Sequence, residues 1–106
     1  MAVKHFVLIR FKEGTSAEEI IKKMEEMALE IDKVKSFEWG QDLESEEMLR
    51  QGFTHAFSLT FESKEEFVAF SQHPTHLAFA EILLSAVEKA IVFDFPVVQV
   101  KPLINA

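Results

Sequence analysis

Four histidines, His5, His55, His73 and His76, carry most of the chemistry this chain offers. His5 and His55 fall mid-strand on the parity of large apolar residues. His73 and His76 flank a proline in Gln72-His73-Pro74-Thr75-His76, where a helix should start. Imidazole, with an unperturbed pKa of about 6.5, gives and takes protons near neutrality. Two such rings facing one cavity make an acid/base site; rings held apart are core and capping groups. Imidazole also suits zinc, but His73 and His76 stand three residues apart across the proline and no carboxylate is placed to complete a set. Serine hydrolase chemistry lacks a Gly-x-Ser-x-Gly elbow, and the absence of cysteine removes thiolate chemistry, disulfides and Cys-type zinc sites.

Positioning these rings falls to elements legible in the periodicity. Val3 to Phe11 places Val3, His5, Val7, Ile9 and Phe11 on one face and Lys4, Phe6, Leu8 and Arg10 on the other, so both faces are apolar in mid-strand. Ser16 followed by Glu19 reads as a capping box. The helix it opens buries Ile20, Ile21, Met24, Met27, Ala28 and Ile31 and ends near Asp32-Lys33. A second strand spans Val34 to Gln41, and a polar excursion with one helical turn spans Asp42 to Gly52. A third strand, Phe53 to Phe61, aligns His55 with Phe53, Phe57, Leu59 and Phe61. Ser63 caps a helix to about Ser71, Pro74 opens another through Leu84 to Val87, and Ala90 to Val98 is the last strand, with Pro96 pointing to an edge. The tail from Lys101 to Ala106 is expected to be loose.

The order β-α-β-β-α-β predicts an α+β, ferredoxin-like domain: a four-stranded antiparallel sheet with its helices on one face. At 106 residues the chain is one domain, 1–106, with its core at about 3–97. The bare sheet face carries Phe6 and Leu8, with Ala56 among small hydroxyl residues, and calls for cover by a second copy, a homodimer. Eleven Phe with no Tyr suit a deep core, an apolar pocket or an interface. A net charge of −7 with dispersed acids disfavours nucleic acid. No leader and no apolar run of membrane length is present, so a cytoplasmic, membrane-free protein is expected.

With these elements in place, the chain resembles the stress-response A/B barrel (Dabb) family, plant type. The matching stretches run in order across residues 3–97: Val3-Lys4-His5, Phe11-Lys12, Ser36-Phe37-Glu38-Trp39-Gly40, Gly52-Phe53-Thr54-His55-Ala56-Phe57, Thr60-Phe61-Glu62-Ser63, His73-Pro74-Thr75-His76 and Phe93-Asp94-Phe95. The resemblance implies a dimeric α+β barrel and two roles. One is a plant stress- or defence-associated homodimer whose pocket binds a small apolar or polyketide-like molecule. The other is a polyketide cyclase, of the lyase class, that closes a linear polyketide thioester by intramolecular aldol condensation.

The cyclase chemistry requires a base to take an acidic proton between two carbonyls. By family position His76 matches that base, with His5 and His55 as partners. Val7, Ile9, Ile20, Ile21, Met24, Phe37, Phe57, Leu77 and Phe79 match or flank pocket positions. Two positions depart from the cyclase pattern: Phe70 stands where it has a tyrosine, and Val87 where it has a tryptophan. No cofactor is implied, though some members hold a magnesium on backbone carbonyls matching Ala28, Ile31 and Val34. Each histidine keeps a plainer reading beside these: His76 and the strand histidines bonded to backbone carbonyls, and His73 as a helix cap.

Overall fold

The structure, a computed structural model, describes residues 1–102, so most of the tail expected to be loose lies outside the described residues. The elements follow as β1 (Val3–Phe11), α1 (Ala17–Glu30), β2 (Ser36–Gln41), α2 (Glu47–Arg50), β3 (His55–Phe61), α3 (Lys64–Gln72), α4 (Pro74–Ala86) and β4 (Val87–Pro96). The strands form one antiparallel sheet in the order β2-β3-β1-β4, the ferredoxin-like arrangement. Val7 and Ile9 of β1 and Phe57, Leu59 and Phe61 of β3 meet Ile21, Met24 and Met27 of α1, Phe70 of α3 and Phe79 of α4 in one core. Among the described residues no helix is long and apolar enough to cross a membrane.

Local chemistry sets the element ends. Ser16 accepts the Glu19 N–H at 3.4 Å and Ser63 accepts the Glu66 N–H at 3.2 Å, each capping its helix. His73 caps α4, its Nδ1 accepting the Thr75 N–H at 3.1 Å ahead of Pro74. Three boundaries differ from the sequence pattern. Strand β2 starts at Ser36 rather than Val34, because the Val34 N–H closes a turn onto the Ile31 carbonyl at 3.0 Å. Strand β3 starts at His55 rather than Phe53, whose N–H bonds the Arg50 carbonyl at 3.1 Å. Strand β4 runs from Val87 to Pro96 rather than from Ala90 to Val98. It leaves α4 without a loop, since the Lys12 N–H takes the Ala86 carbonyl at 2.8 Å and Val87 pairs with Phe11.

The sheet's other face is apolar and bare. Phe6 stands opposite Phe93 on one side and Ser58 on the other, and Leu8 opposite Ile91 and Ala56. Phe93 is 63% exposed and Ile91 46%, an arrangement water does not favour.

The 42–52 excursion flanks this face and is pinned by polar contacts. Asp42 accepts the Ser45 N–H at 2.7 Å and Arg50 at 3.2 Å, and the Ser45 N–H above all holds its carboxyl below the usual range. Arg10 donates to the Gly52 carbonyl at 3.0 Å, while Lys89 bonds the Gln51 carbonyl and stacks over Phe53. Gly52 has φ +84°, and a Cβ there would stand 3.1 Å from Lys89 Nζ; Gly14, at φ +81°, has open space. Both Gly→Ala changes therefore cost the left-handed penalty of about 1–2 kcal/mol. In urea denaturation Gly52→Ala should lose more than Gly14→Ala, because the Lys89 clamp must also shift; equal losses would contradict the clamp.

Candidate functional site: two histidines beneath the helices

Between sheet and helices lies a cavity of about 60 Å³, walled by Val7, Met24, Met27, Phe57, Leu59, Phe70, Phe79, Ala80 and Leu83, with His5 and His76 as its polar members. His76 sits on the first turns of α4, where its Nδ1 meets the Ser71 carbonyl at 3.0 Å. A carbonyl only accepts, so Nδ1 carries the hydrogen and Nε2 holds the ring's free lone pair. Burial pushes the His76 pKa below its ordinary value. The Ser71 bond opposes this, and the neighbouring His5 and His73 reinforce it. At neutral pH the ring is therefore a neutral proton acceptor.

His5 reaches the same cavity from β1. The β1–β4 register sets it opposite Asp94, whose carboxylate takes its Nδ1 hydrogen. The His5 side chain is only 17% exposed, and it rests against Phe67 and Phe70, with ring centres 5.5 and 6.2 Å away. This carboxylate–imidazole pair fixes the ring's orientation and leaves its Nε2 unbonded to Asp94. Asp94 is the member of the site that residue types alone did not single out. The signal lies in strand pairing: two residues 89 apart become neighbours only once β1 and β4 are in register.

The structure does not bring His55 to this cavity. His55 pairs with Ile9, four residues along β1 from His5, or roughly 13 Å down the sheet. There it lies among Phe11, Trp39 and Phe57, with ring centres at 5.1, 6.3 and 6.3 Å. Its Nδ1 donates at 2.7 Å to the Thr54 hydroxyl, which itself donates to the Ile9 carbonyl. Burial lowers its pKa as well. Parity chose the right face for His55, but its distance along the strand separates it from His76.

Phe70 is 1% exposed and forms a wall of the cavity against both histidines, its ring centre 4.5 Å from His76, 6.2 Å from His5 and 4.9 Å from Phe61. Val7, Met24, Phe57 and Phe79 also line the cavity. Other expected lining residues do not. Ile9 and Ile21 are buried in the core away from it, and Ile20, Phe37 and Val87 pack at the core's margin. Leu77 is 53% exposed, because one residue after His76 turns about 100° around α4; Phe79, Ala80 and Leu83 hold the inward stripe.

The turn after α1 fits a cation poorly. The Ile31 carbonyl already accepts the Val34 N–H, and the Lys35 ammonium reaches the Asp32 carbonyl at 3.3 Å. A carbonyl site beside a fixed positive charge lacks the charge balance that hard cations favour.

A ferredoxin-like sheet with helices over one face and a histidine pair beneath them defines a small pocket-bearing α+β domain. The chain belongs to the stress responsive A/B barrel domain family, whose model matches residues 3–97. It is 53% identical over 98 residues to a stress-response A/B barrel domain-containing protein of Arabidopsis thaliana, covering 92% of this chain and 88% of that one. It is 36% identical over 98 residues to olivetolic acid cyclase of Cannabis sativa, covering 90% and 96%. Among solved structures, hydroxynitrile lyase from Passiflora edulis superposes with a TM-score of 0.83 at 30% identity, covering 95% of this chain and 97% of that one.

The lowered His76 and His55 pKa values have a consequence for stability. A base whose folded pKa is depressed binds fewer protons folded than unfolded. Stability is therefore full above the unfolded value of about 6.5 and falls as pH drops through the window below it. Thermal midpoints between pH 7.5 and 5 should decline in the wild type and decline less in His76→Gln. An unchanged slope in that variant would mean burial does not hold the ring neutral.

Proposed function

We propose that this protein is a plant stress- or defence-associated homodimer whose His5–His76 cavity receives the hydroxyl or enol head of a small uncharged molecule, with His76 Nε2 as proton acceptor. The observation that carries this reading is the Nδ1–Ser71 bond within apolar walls, which supports a neutral ring offering a lone pair. Apolar walls select an uncharged guest, because a charge here would be desolvated without an opposite partner. Asp94 holds His5 so that a second nitrogen is set beside the guest. A volume of about 60 Å³ corresponds to roughly two waters' share of liquid, enough for a head group of a few atoms.

Titration with propan-1-ol should produce saturable shifts of the His76 and His5 ring signals in NMR. His76→Phe keeps the bulk and removes the acceptor, and should lose that saturable binding. Binding that survives in His76→Phe would remove the reading.

A second reading, a polyketide cyclase, draws on the 36% identity to olivetolic acid cyclase. In it a proton from the carbon between two carbonyls passes to His76 Nε2. The enolate carbon then attacks a distant carbonyl of the same chain, whose oxygen must gain a proton. Phe70 cannot donate that proton, and a drug-sized substrate needs some 300 Å³ or more. Incubation with a linear tetraketide thioester should therefore yield no aromatic acid above the protein-free rate. A product that disappears in His76→Phe would establish the cyclase instead.

The homodimer follows from the bare sheet face. Phe6, Leu8, Ile91 and Phe93 form a contiguous cross-strand patch, and a two-fold copy packed sheet to sheet would cover it. Sedimentation at micromolar concentration should give twice the chain mass, and Phe93→Asp should shift the population toward monomer. A wild-type monomer would contradict this packing.

A further inference from the structure

Gly40 lies inside β2, and nothing in its own chain requires a glycine there. Its φ is outside the left-handed region, β2 pairs with β3 in unbroken register through it, and a Cβ would meet nothing within 4 Å. Glycine weakens a strand interior; away from bulges and bends it marks a place where something else comes close. Phe37 packs against the core and Trp39 donates to Glu25 of α1 at 3.1 Å, so strand parity turns Gly40 to the bare face of the sheet.

That face is sorted by size. The register sets Glu38, Ser58, Phe6 and Phe93 in one row across the sheet and Gly40, Ala56, Leu8 and Ile91 in the next. Apart from Glu38 at the edge, β2 and β3 give these rows small residues, while β1 and β4 give bulky ones. Two hollows follow. One, of about 250 Å³, is lined by Gly40, Ala56 and Ser58 beside Phe6. The other, of about 530 Å³, extends from Gly40 and Ala56 past Leu8 to Ile91, with Leu49 of α2, itself 72% exposed, in its wall.

We propose that the two-fold axis of the homodimer runs parallel to the strands, between β3 and β1, and that Ile91 of each copy seats over Gly40 of the other. This rests on the homodimer read from the bare face and specifies how the two copies mate. A two-fold can stack aligned sheets face to face in two ways. With the axis along the strands, each row meets itself reversed: the partner's Ile91 faces Gly40, the partner's Leu8 faces Ala56 and the partner's Phe6 faces Ser58. Bulky side chains then enter hollows, as close packing requires. The partner's Phe93 falls beside Glu38 at the sheet edge, where the carboxylate turns to water. With the axis across the strands, β4 lies on the partner's β4 and β2 on the partner's β2. Ile91 then meets the partner's Phe93, and the small halves enclose a void. Overpacking and voids both cost stability, so packing favours the first arrangement.

Within one protomer Gly40 and Ile91 stand on opposite edge strands, three strand spacings or roughly 14 Å apart. Direct contact between them therefore arises only between copies. Gly40→Leu has open space in the protomer and should leave the circular dichroism of the fold unchanged. Sedimentation over a concentration series should show it weakening dimerisation about tenfold or more, by overfilling the seat of the partner's Ile91. Adding Ile91→Ala should restore dimerisation to within about threefold of wild type, since the leucine fills the space the isoleucine vacates. In a dimer mixed from isotope-labelled and unlabelled chains, the Ile91 methyls should show NMR cross-peaks to the Gly40 α-hydrogens. A wild-type monomer would remove the homodimer itself. A wild-type dimer that Gly40→Leu leaves intact, a weakening that Ile91→Ala does not relieve, or cross-peaks from Ile91 to the partner's Phe93 would overturn this mating alone.

Discussion

Strand β1 is bonded along its length on both sides, to β3 and to β4, and the alternation of its side chains organises the rest of the molecule. Its helix-facing residues, His5, Val7 and Ile9, supply a ring to the cavity and two walls to the core. Its outward residues, Phe6 and Leu8, supply the apolar face that a second copy would cover. A slip of one residue exchanges these sets. His5 would then point away from His76 and lose Asp94, and Phe6 would enter the core. The buried apolar residues Val7 and Ile9 hold the register, and the polar site relies on it.

The histidine pair shows how packing and basicity oppose each other. The apolar walls that keep water from His76 also lower its affinity for a proton, and the Ser71 carbonyl returns part of that affinity while fixing which nitrogen is free. At His5 a carboxylate does the orienting, and because Asp94 is 39% exposed, solvent keeps the pair from being a deeply buried ion pair. Two imidazoles are thus oriented by different groups on different elements. The His76 arrangement depends on the packing of α3 on the sheet, since Ser71 comes from that helix, whereas the His5 arrangement depends on the pairing of β1 with β4.

Periodicity made most of the fold legible. Alternation in Val3–Phe11 and in Phe53–Phe61, the serine caps and the Pro74 helix start all reflect local physics, and each appears where that physics places it except that the third strand starts two residues later, at His55. The start of β4 was not legible, because Leu83 to Phe93 contains no glycine or proline to mark the change from helix to strand. The Lys12–Ala86 bond that fixes it joins distant parts of the chain. The site was legible by face and not by position. Parity put His5, His55 and the pocket residues under the helices, but it carries no information on distance along a strand, and so His55 was grouped with rings from which the fold separates it. Leu77 shows the same limit on a helix, where one residue decides between wall and solvent. Asp94 required pairing between residues at opposite ends of the chain, which no local pattern encodes.

Phe70 bears on function more than either histidine does. Accepting a hydrogen bond asks only for a lone pair, and His76 provides one in apolar surroundings where the bond is not weakened by competing water. Closing a carbon chain asks for more: as the enolate attacks, charge gathers on a second oxygen, and a donor must already be aimed at it. The phenyl ring at 70 packs against both imidazoles and offers no hydrogen to that oxygen. It does close the cavity tightly, at 1% exposure, against Phe61 and both histidines. The same side chain thus strengthens the seal on a bound head group and withholds the donor a condensation needs, which is why binding is the better-supported chemistry for this pair of histidines.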